Sequence, residues 1–434
     1  MKAILKKRIA NIIFSFGLAI LPPIALAQYE NFPDQSGTLQ ERIRETGGNL
    51  LLEAGTYAID ETLEFDLQSL EAVSVRCRGA VTFIMRGPGP ALRFVGTHEG
   101  TANPSSFDPD TWKQRMPIIE GLEILGDHPE ADGIELLGTV QATVTRVAVR
   151  NARHGIRLHK RNRNVVISDC HIYENSGVGL YLDRVNLHQI NVANSHISYN
   201  REGGVVLRDC EVRNLHLTGC DIEANMPGDA TPTRAANVWI DLSARNEGTS
   251  VAEVAITGCT IQHSANKGRK AVTAPGGANI RIEGRPEYPV DTVTIGNNIL
   301  SDTSISIDID YAKDIAITGN GFFTSMPGDL LVQNSQRVVV SGNTFNPRQE
   351  WSIGGIVFRD SESCIFSANT VHAIKDPKAA ILFERCRNSR ISDCVITDIN
   401  HGILLRECRN CEVVDTIIAE PKQGGPKVRR ERSR

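Results

Sequence analysis

The sequence predicts an all-β chain folded as a single parallel solenoid of three sheets, and three observations carry that expectation. A short apolar beat returns as Gly133-Ile-Glu-Leu, Gly155-Ile-Arg-Leu, Gly179-Leu-Tyr-Leu and Gly204-Val-Val-Leu, in steps of 22 to 25 residues, and again as Gly355-Ile-Val-Phe and Gly402-Ile-Leu-Leu. A period of this length belongs to stacked units, each too small to bury a core alone. Within one unit, Val165-Val-Ile, Cys170-His-Ile-Tyr and Gly179-Leu-Tyr-Leu are β-rich segments parted by Asn, Ser and Gly. Three co-directional strands per turn make three parallel sheets around a narrow apolar core. Finally, one slot per turn holds a small side chain: Cys170, Ser195, Cys220, Cys259, Asn297, Asn320, Asn343, Asn369, Cys394, Asp415. Such a row reads as a turn ladder, with cysteine serving as a small buried hydrophobe.

The elements follow in order. Residues 1–27 read as an export signal: Lys2, Lys6, Lys7 and Arg8, an apolar stretch from Ile9 to Ile20, then Ala25-Leu26-Ala27. The expected location is periplasmic or extracellular, and no later apolar run is long enough to span a bilayer. Residues 28–48 form an N-terminal cap region, in which Thr38 to Thr46 is a short amphipathic helix with Leu39 and Ile43 on one face. It covers the open first coil, as a solenoid end requires. The coils run from 49 to 420, and residues 421–434 read as a basic disordered tail.

Four of the 47 basic residues and none of the 51 acidic ones fall in the leader, so the mature chain carries a net charge near −8. Nucleic acid is a poor partner for it. Cys408 and Cys411 make one CxxC with no second pair, which lacks metal spacing. A Cys386–Cys408 bridge is sterically open at a strand spacing of roughly 4.8 Å.

Gly47-Gly-Asn-Leu-Leu-Leu-Glu-Ala-Gly-Thr-Tyr57, followed by these coils, resembles the entry to the pectate-lyase-like superfamily of right-handed parallel β-helices. The likeness spans about Thr38 to Glu420. It implies a right-handed β-helix and polysaccharide substrates, often uronic acids, among lyases, hydrolases, epimerases and noncatalytic surface proteins. Fold does not choose between these.

Side chains alternate along a strand, so each coil places two outward residues on one sheet. One column reads Glu135, Arg157, Tyr181, Val206, Trp239, Arg281 and Ser306, then the aliphatic Leu331, Val357, Leu382 and Leu404. The switch to aliphatic side chains implies a cover over the later half. The second column reads Leu137, His159, Asp183, Arg208, Asp241, Glu283 and Asp308. Three acids on successive coils need compensation, from Arg208 and Arg281 or from a cation. Oxygen ligands from Asp241, Glu283 and Asp308 suit Ca²⁺. The pectate lyases resemble this arrangement, an acidic calcium cluster beside an arginine that abstracts the proton alpha to a uronate carboxylate. By that likeness Arg281 or Arg208 is the base, with Asp241 and Glu283 beside it; the alternative is a surface salt-bridge ladder.

The ladder steps Cys220 to Cys259 and Cys259 to Asn297 are 39 and 38 residues, and the surplus flanks the acid-bearing strands. Long loops inside a repeat usually serve function. They would wall a groove with Trp239 on its floor and Tyr181, Asp183, His159 and Arg157 along it, an aromatic stacking on sugar. The expected activity is therefore binding and β-elimination of an acidic polysaccharide. Hydrolysis or epimerisation on the same scaffold, or noncatalytic glycan binding, are the alternatives. A hydrolase is disfavoured: Ala131-Asp-Gly-Ile134 matches the polygalacturonase coil start, but Arg153-His154 stands where a paired aspartate belongs. A rival column, His171, His196, Asp221 and Thr260 beside Tyr173, Ser198, Glu223 and Gln262, lies on another sheet.

Overall fold

The computed structural model describes residues 31–99, 108–227, 232–244, 250–264, 274–349 and 352–432; the expected export signal lies outside them. These residues wind into a right-handed parallel β-helix of about 14 turns. Each turn adds a strand to three faces. Sheet one holds Ile156–Ser168 (its first half), Val178–Ala193 (likewise), Gly203–Arg208, Ala236–Asp241, Ala278–Glu283, Ile305–Asp310 and the strands that follow to Val428–Glu431. Sheet two continues from the second halves of the two long strands through Glu211–Thr218 and Val251–Thr257. Sheet three stacks His171–Tyr173, His196–Ser198, Asp221–Glu223 and Thr260–Gln262.

The core is filled by like on like. Ile156, Leu180, Val205, Val238, Ile280, Ile307 and Leu330 stack in register inside sheet one, all essentially inaccessible. Aromatic rows do the same lower down: Phe322 stacks on Phe345 with ring centroids 4.4 Å apart, and Phe345 meets Phe366 at 5.8 Å. Part of the aliphatic half of sheet one is covered by a neighbouring connection: Ala379, just ahead of Ile381–Glu384, packs with Val357, Leu382 and Leu404, while Leu331 stays partly exposed.

The helix runs Ser36–Glu45 with Leu39 and Ile43 buried against the first strands. It ends because Gly47 and Gly48 turn left-handed, at φ +58° and +82°, and Gly48 donates back to the Ile43 carbonyl at 2.7 Å. A Cβ at Gly48 would lie 2.4 Å from Val73 Cγ1, so that turn needs glycine.

Two details of the turn ladder differ from expectation. The ladder members are Asn298 and Thr416, not Asn297 and Asp415; the latter two sit one residue earlier, at the left-handed corner, with φ +57° and +45°. Sequence position alone cannot separate adjacent corner and ladder residues when both suit a turn. In the core of the row, Asn298, Asn320 and Asn343 each donate through Nδ2 to Oδ1 of the next asparagine at 3.0 Å, ending on Asn369. A second row, Asn175, Asn200, Asn225, Asn237 and Asn279, runs along the corner between sheets three and one at 2.7–3.0 Å. All ten cysteines are free thiols, Cys386 and Cys408 included.

The basic tail is not disordered over the described residues. Val428–Glu431 pairs with Ile403–Arg406, Glu431 accepts from Arg406 at 2.8 Å, and Arg430 donates to the Cys411 carbonyl at 3.0 Å. Composition alone misses this because the ordering force is an unfilled sheet edge with a complementary charge.

Asp329 is fully buried, and burial pushes its carboxyl up to about 6, against hydrogen bonds from Ser325 and the Gly355 amide. A carboxyl raised from 3.8 in this way favours the fold below pH 4, and that contribution is lost as pH rises through 6. Asp329→Asn is therefore expected to gain about 2–3 kcal/mol of stability above pH 7, the gain shrinking to nothing near pH 4, in denaturant titrations across pH. A pH-independent difference would contradict this account.

Candidate functional site

Sheet one carries the predicted residues, in a register that corrects one expectation. Asp241 does pair with Glu283, but Asp308 pairs with Arg281, and Asp310 is the residue opposite Glu283. The strand Ile305-Ser-Ile-Asp-Ile-Asp310 alternates with period two, so a shift of two residues leaves the same isoleucines inward, and local pattern cannot fix the frame. Ser306 is consequently not an outward residue; it is buried, its Oγ 2.7 Å from that of Ser325.

The correction separates the proposed calcium ligands. Asp308 accepts from Arg281 Nε at 3.1 Å. Asp241 Oδ1 accepts from the amide and hydroxyl of Ser243 at 3.1 and 2.6 Å, while its Oδ2 faces Arg208 Nε at 3.4 Å. Glu283 accepts from Trp239 Nε1 at 2.9 Å and pairs with Arg234. Burial raises the Glu283 carboxyl despite the Trp239 hydrogen bond. Each acid thus has its own protein partner, and the three do not converge.

Trp239 and Arg281 are also placed otherwise than expected. Trp239 is 8% exposed, packed with Val178, Val206, Ala236, Ala278 and Tyr181 under Arg208, whose guanidinium lies 5.1 Å from its ring. It is a wall, not a floor. Arg281 is 4% exposed and donates to Asp308, to the Gly276 carbonyl at 2.6 Å and to the Arg234 carbonyl. All its donors fasten the approaches to two strands. Of the expected flanking loops, residues 228–231, 245–249 and 265–273 lie outside the described residues.

The open part of sheet one lies three coils earlier. Here Arg157, Tyr181, His159 and Arg208 are each partly exposed around the buried Asp183. Arg157 Nε reaches Asp183 Oδ2 at 3.2 Å and Arg184 Nε reaches Oδ1 at 3.2 Å. Burial works against the Asp183 charge, but these guanidiniums hold its carboxyl below the usual range. His159 Nδ1 lies 2.8 Å from the Asp183 carbonyl oxygen and donates to it, so in the neutral ring the lone pair is on Nε2. Tyr181 pairs directly with Arg157, and its hydroxyl makes no hydrogen bond to a described residue. Burial, then the Asp183 charge, raises that phenol, so it rests protonated. Arg208 stands 5.9 Å from its ring.

His154 completes the patch and was not among the predicted site residues. Its ring centroid is 5.0 Å from that of Tyr181, and its Nδ1 accepts from the Val178 amide at 3.0 Å. Burial drives its pKa down to about 4, which keeps it neutral with the proton on Nε2. Asp132 fixes it in place, accepting from the His154 amide at 3.0 Å and from both edges of Arg153 at 2.9 and 2.6 Å. The signal was present as Arg153-His154 standing in place of a paired aspartate: the departure from one enzyme pattern marks this corner.

On sheet three, the rival column brings His196 Nε2 to 3.6 Å from Asp221 Oδ2 and 3.8 Å from Glu223 Oε1. The neighbouring Glu223 carboxylate raises the His196 pKa, and His196 in turn lowers that of Glu223; burial raises Asp221.

The fold and these faces define a parallel β-solenoid with a charge-paired sheet and one open Arg–Tyr–His patch. The chain belongs to the right-handed β-helix family, whose model, a right-handed β-helix region, matches residues 114–246 and 242–433. No curated protein sequence matches it. Among solved structures it is similar to the A-module of the mannuronan C-5 epimerase AlgE4 of Azotobacter vinelandii, at 14% identity and a TM-score of 0.43 over 92% of this chain and 96% of that one. It is likewise similar to the Dettilon tailspike protein, at 14% identity and 0.45 over 92% and 65%. The tailspike of E. coli bacteriophage HK620, in complex with a pentasaccharide, gives 14% and 0.44 over 88% and 77%. Likeness at this level says nothing of activity, substrate or partner. Among the described residues no helix is long and apolar enough to cross a membrane.

Proposed function

We propose that the chain is a carbohydrate-active β-helix that binds an acidic, uronate-containing polysaccharide along sheet one and cleaves it by β-elimination. The observation that carries this reading is the juxtaposition of His159, with its Nε2 free, and Tyr181, with its hydroxyl free, between two guanidiniums. Arg157, paired with Asp183 and Glu135, and Arg208, paired with Asp241, turn their remaining N–H groups to the uronate carboxylate, and those hydrogen bonds acidify the adjacent C5–H. His159 Nε2 takes that proton. The electrons form the C4–C5 double bond as the C4–O bond breaks, and Tyr181 returns a proton to the leaving oxygen. The His154 Nε2–H is a neutral donor beside Tyr181, suited to a developing negative oxygen. Export of the mature chain belongs to the same reading, since such a polymer lies outside the cytoplasm.

The test is incubation with a panel of uronate polymers, following the ultraviolet absorbance of the unsaturated product. His159→Ala, Tyr181→Phe and Arg208→Ala are each expected to lower kcat/KM by at least about 100-fold while melting within a few degrees of the parent. Chains inverted at C5 without cleavage would assign epimerisation instead. Glycan affinity with no product would leave binding alone.

A further inference from the structure

Sheet three carries a second cluster with different chemistry. His196, Asp221 and Glu223 each offer a ligand atom, and these atoms all lie within 4.8 Å of one another. His263 approaches from the next coil, its Nε2 4.0 Å from Glu223 Oε2. Two ligands held about 2.1 Å from one ion at tetrahedral angles are about 3.4 Å apart, so separations of 3.6 and 3.8 Å need only a small closure. The strands hold these residues by register, since His196 pairs with Asp221, and Ser198 with Glu223. The next coil supplies Thr260 and Gln262, neither charged, so the two carboxylates are not matched by a guanidinium as Asp183, Asp241, Glu283 and Asp308 of sheet one are. One outer partner is present, since Gln262 donates to Glu223 Oε2 at 3.2 Å; His263 Nδ1 is buried without a hydrogen-bond partner, with Asp302 3.7 Å away.

A second, independent observation points to a polar ligand here. Ser198 is fully buried in the same row as Glu223, and its Oγ has no hydrogen-bond partner. Asp221 Oδ1 is likewise buried and unpartnered. Orphaned polar atoms beside two carboxylates are costly unless something polar sits among them.

We propose that His196, Asp221 and Glu223, with His263 at the edge, bind one divalent cation of the zinc class on sheet three. Mixed imidazole and carboxylate ligands favour Zn²⁺, Co²⁺ or Ni²⁺ over the all-oxygen preference of Ca²⁺. The ion would clamp three successive coils, and it is independent of the uronate reading of sheet one.

The experiment uses the untagged chain, stripped with EDTA and titrated with ZnCl₂, read by thermal melting and calorimetry. One ion per chain and a raised melting midpoint are expected, with affinity at least 100-fold weaker in both His196→Asn and Glu223→Gln. Co²⁺ should give visible absorption in the parent that both variants lose, while Tyr181→Phe keeps it. An unmoved midpoint without Co²⁺ absorption overturns the site, and so does undiminished binding by His196→Asn. A stabilisation by CaCl₂ but not ZnCl₂ overturns the assigned class.

Discussion

Asn343→Ala is expected to cost about 3–5 kcal/mol of stability, among the largest effects of any single side chain here. Asn343 Oδ1 accepts both the Asn320 amide, at 2.9 Å, and Asn320 Nδ2, at 3.0 Å. Its Nδ2 donates to the Ile317 carbonyl at 2.9 Å and to Asn369 Oδ1 at 3.0 Å. Truncation leaves two donors and a carbonyl short of a partner in a position that is 1% exposed. Each such orphan costs about 1–3 kcal/mol, and the small cavity adds to it. Denaturant midpoints of Asn343→Ala and Asn343→Asp separate the parts. The aspartate keeps one acceptor but turns its second oxygen on the Ile317 carbonyl and Asn369 Oδ1 in a buried position, so at neutral pH it should cost at least as much as alanine and should recover as acid protonates it. A loss under about 1 kcal/mol for alanine would mean that water restores the bonds.

Phe345→Ala should be comparably severe, at about 3–5 kcal/mol for the transfer and cavity terms with a further contribution from two aromatic contacts. Phe345 is fully buried and is the middle ring of three, stacked on Phe322 at 4.4 Å and 18° and tilted toward Phe366. Its removal strips a partner from the rings on both sides at once. Phe345→Leu keeps most of the volume and should lose less than half as much. Equal losses for the two variants would show that shape, not burial, sets the cost.

The architecture is legible in the sequence because it is repeated: an error in reading one coil is outvoted by its neighbours. The inward isoleucines and valines, the capping helix and the turn ladder all follow from period and alternation. What is not legible is whatever depends on frame or on a distant segment. Ile305–Asp310 reads identically two residues out of register, and that slip puts Asp308 opposite Glu283, a place that Asp310 holds in the fold, so the acidic column keeps three members but not the three expected. Adjacent Asn297 and Asn298 hide which is corner and which is ladder. Trp239 is covered by Arg208 from the preceding coil and held by Glu283 from the following one, two long-range facts that no local window holds. The Arg–Tyr–His patch was half visible: Arg157, His159, Tyr181 and Arg208 stand in the outward columns, whereas His154 reaches them from a corner that alternation does not address.

The asparagine row between sheets three and one has a direction. Asn175 Oδ1 accepts from the Ala152 amide, each Nδ2 then points at the oxygen of the following coil, and Asn279 Nδ2 ends on the Ser301 carbonyl. Every side-chain dipole therefore lies the same way along the axis, and the moments add, whereas strand dipoles leave a sheet little net moment. Aligned amides polarise one another, so each link strengthens those beside it. The row behaves as one polarised wire, in which cutting Asn225 at the centre should cost more than cutting Asn175 at its end.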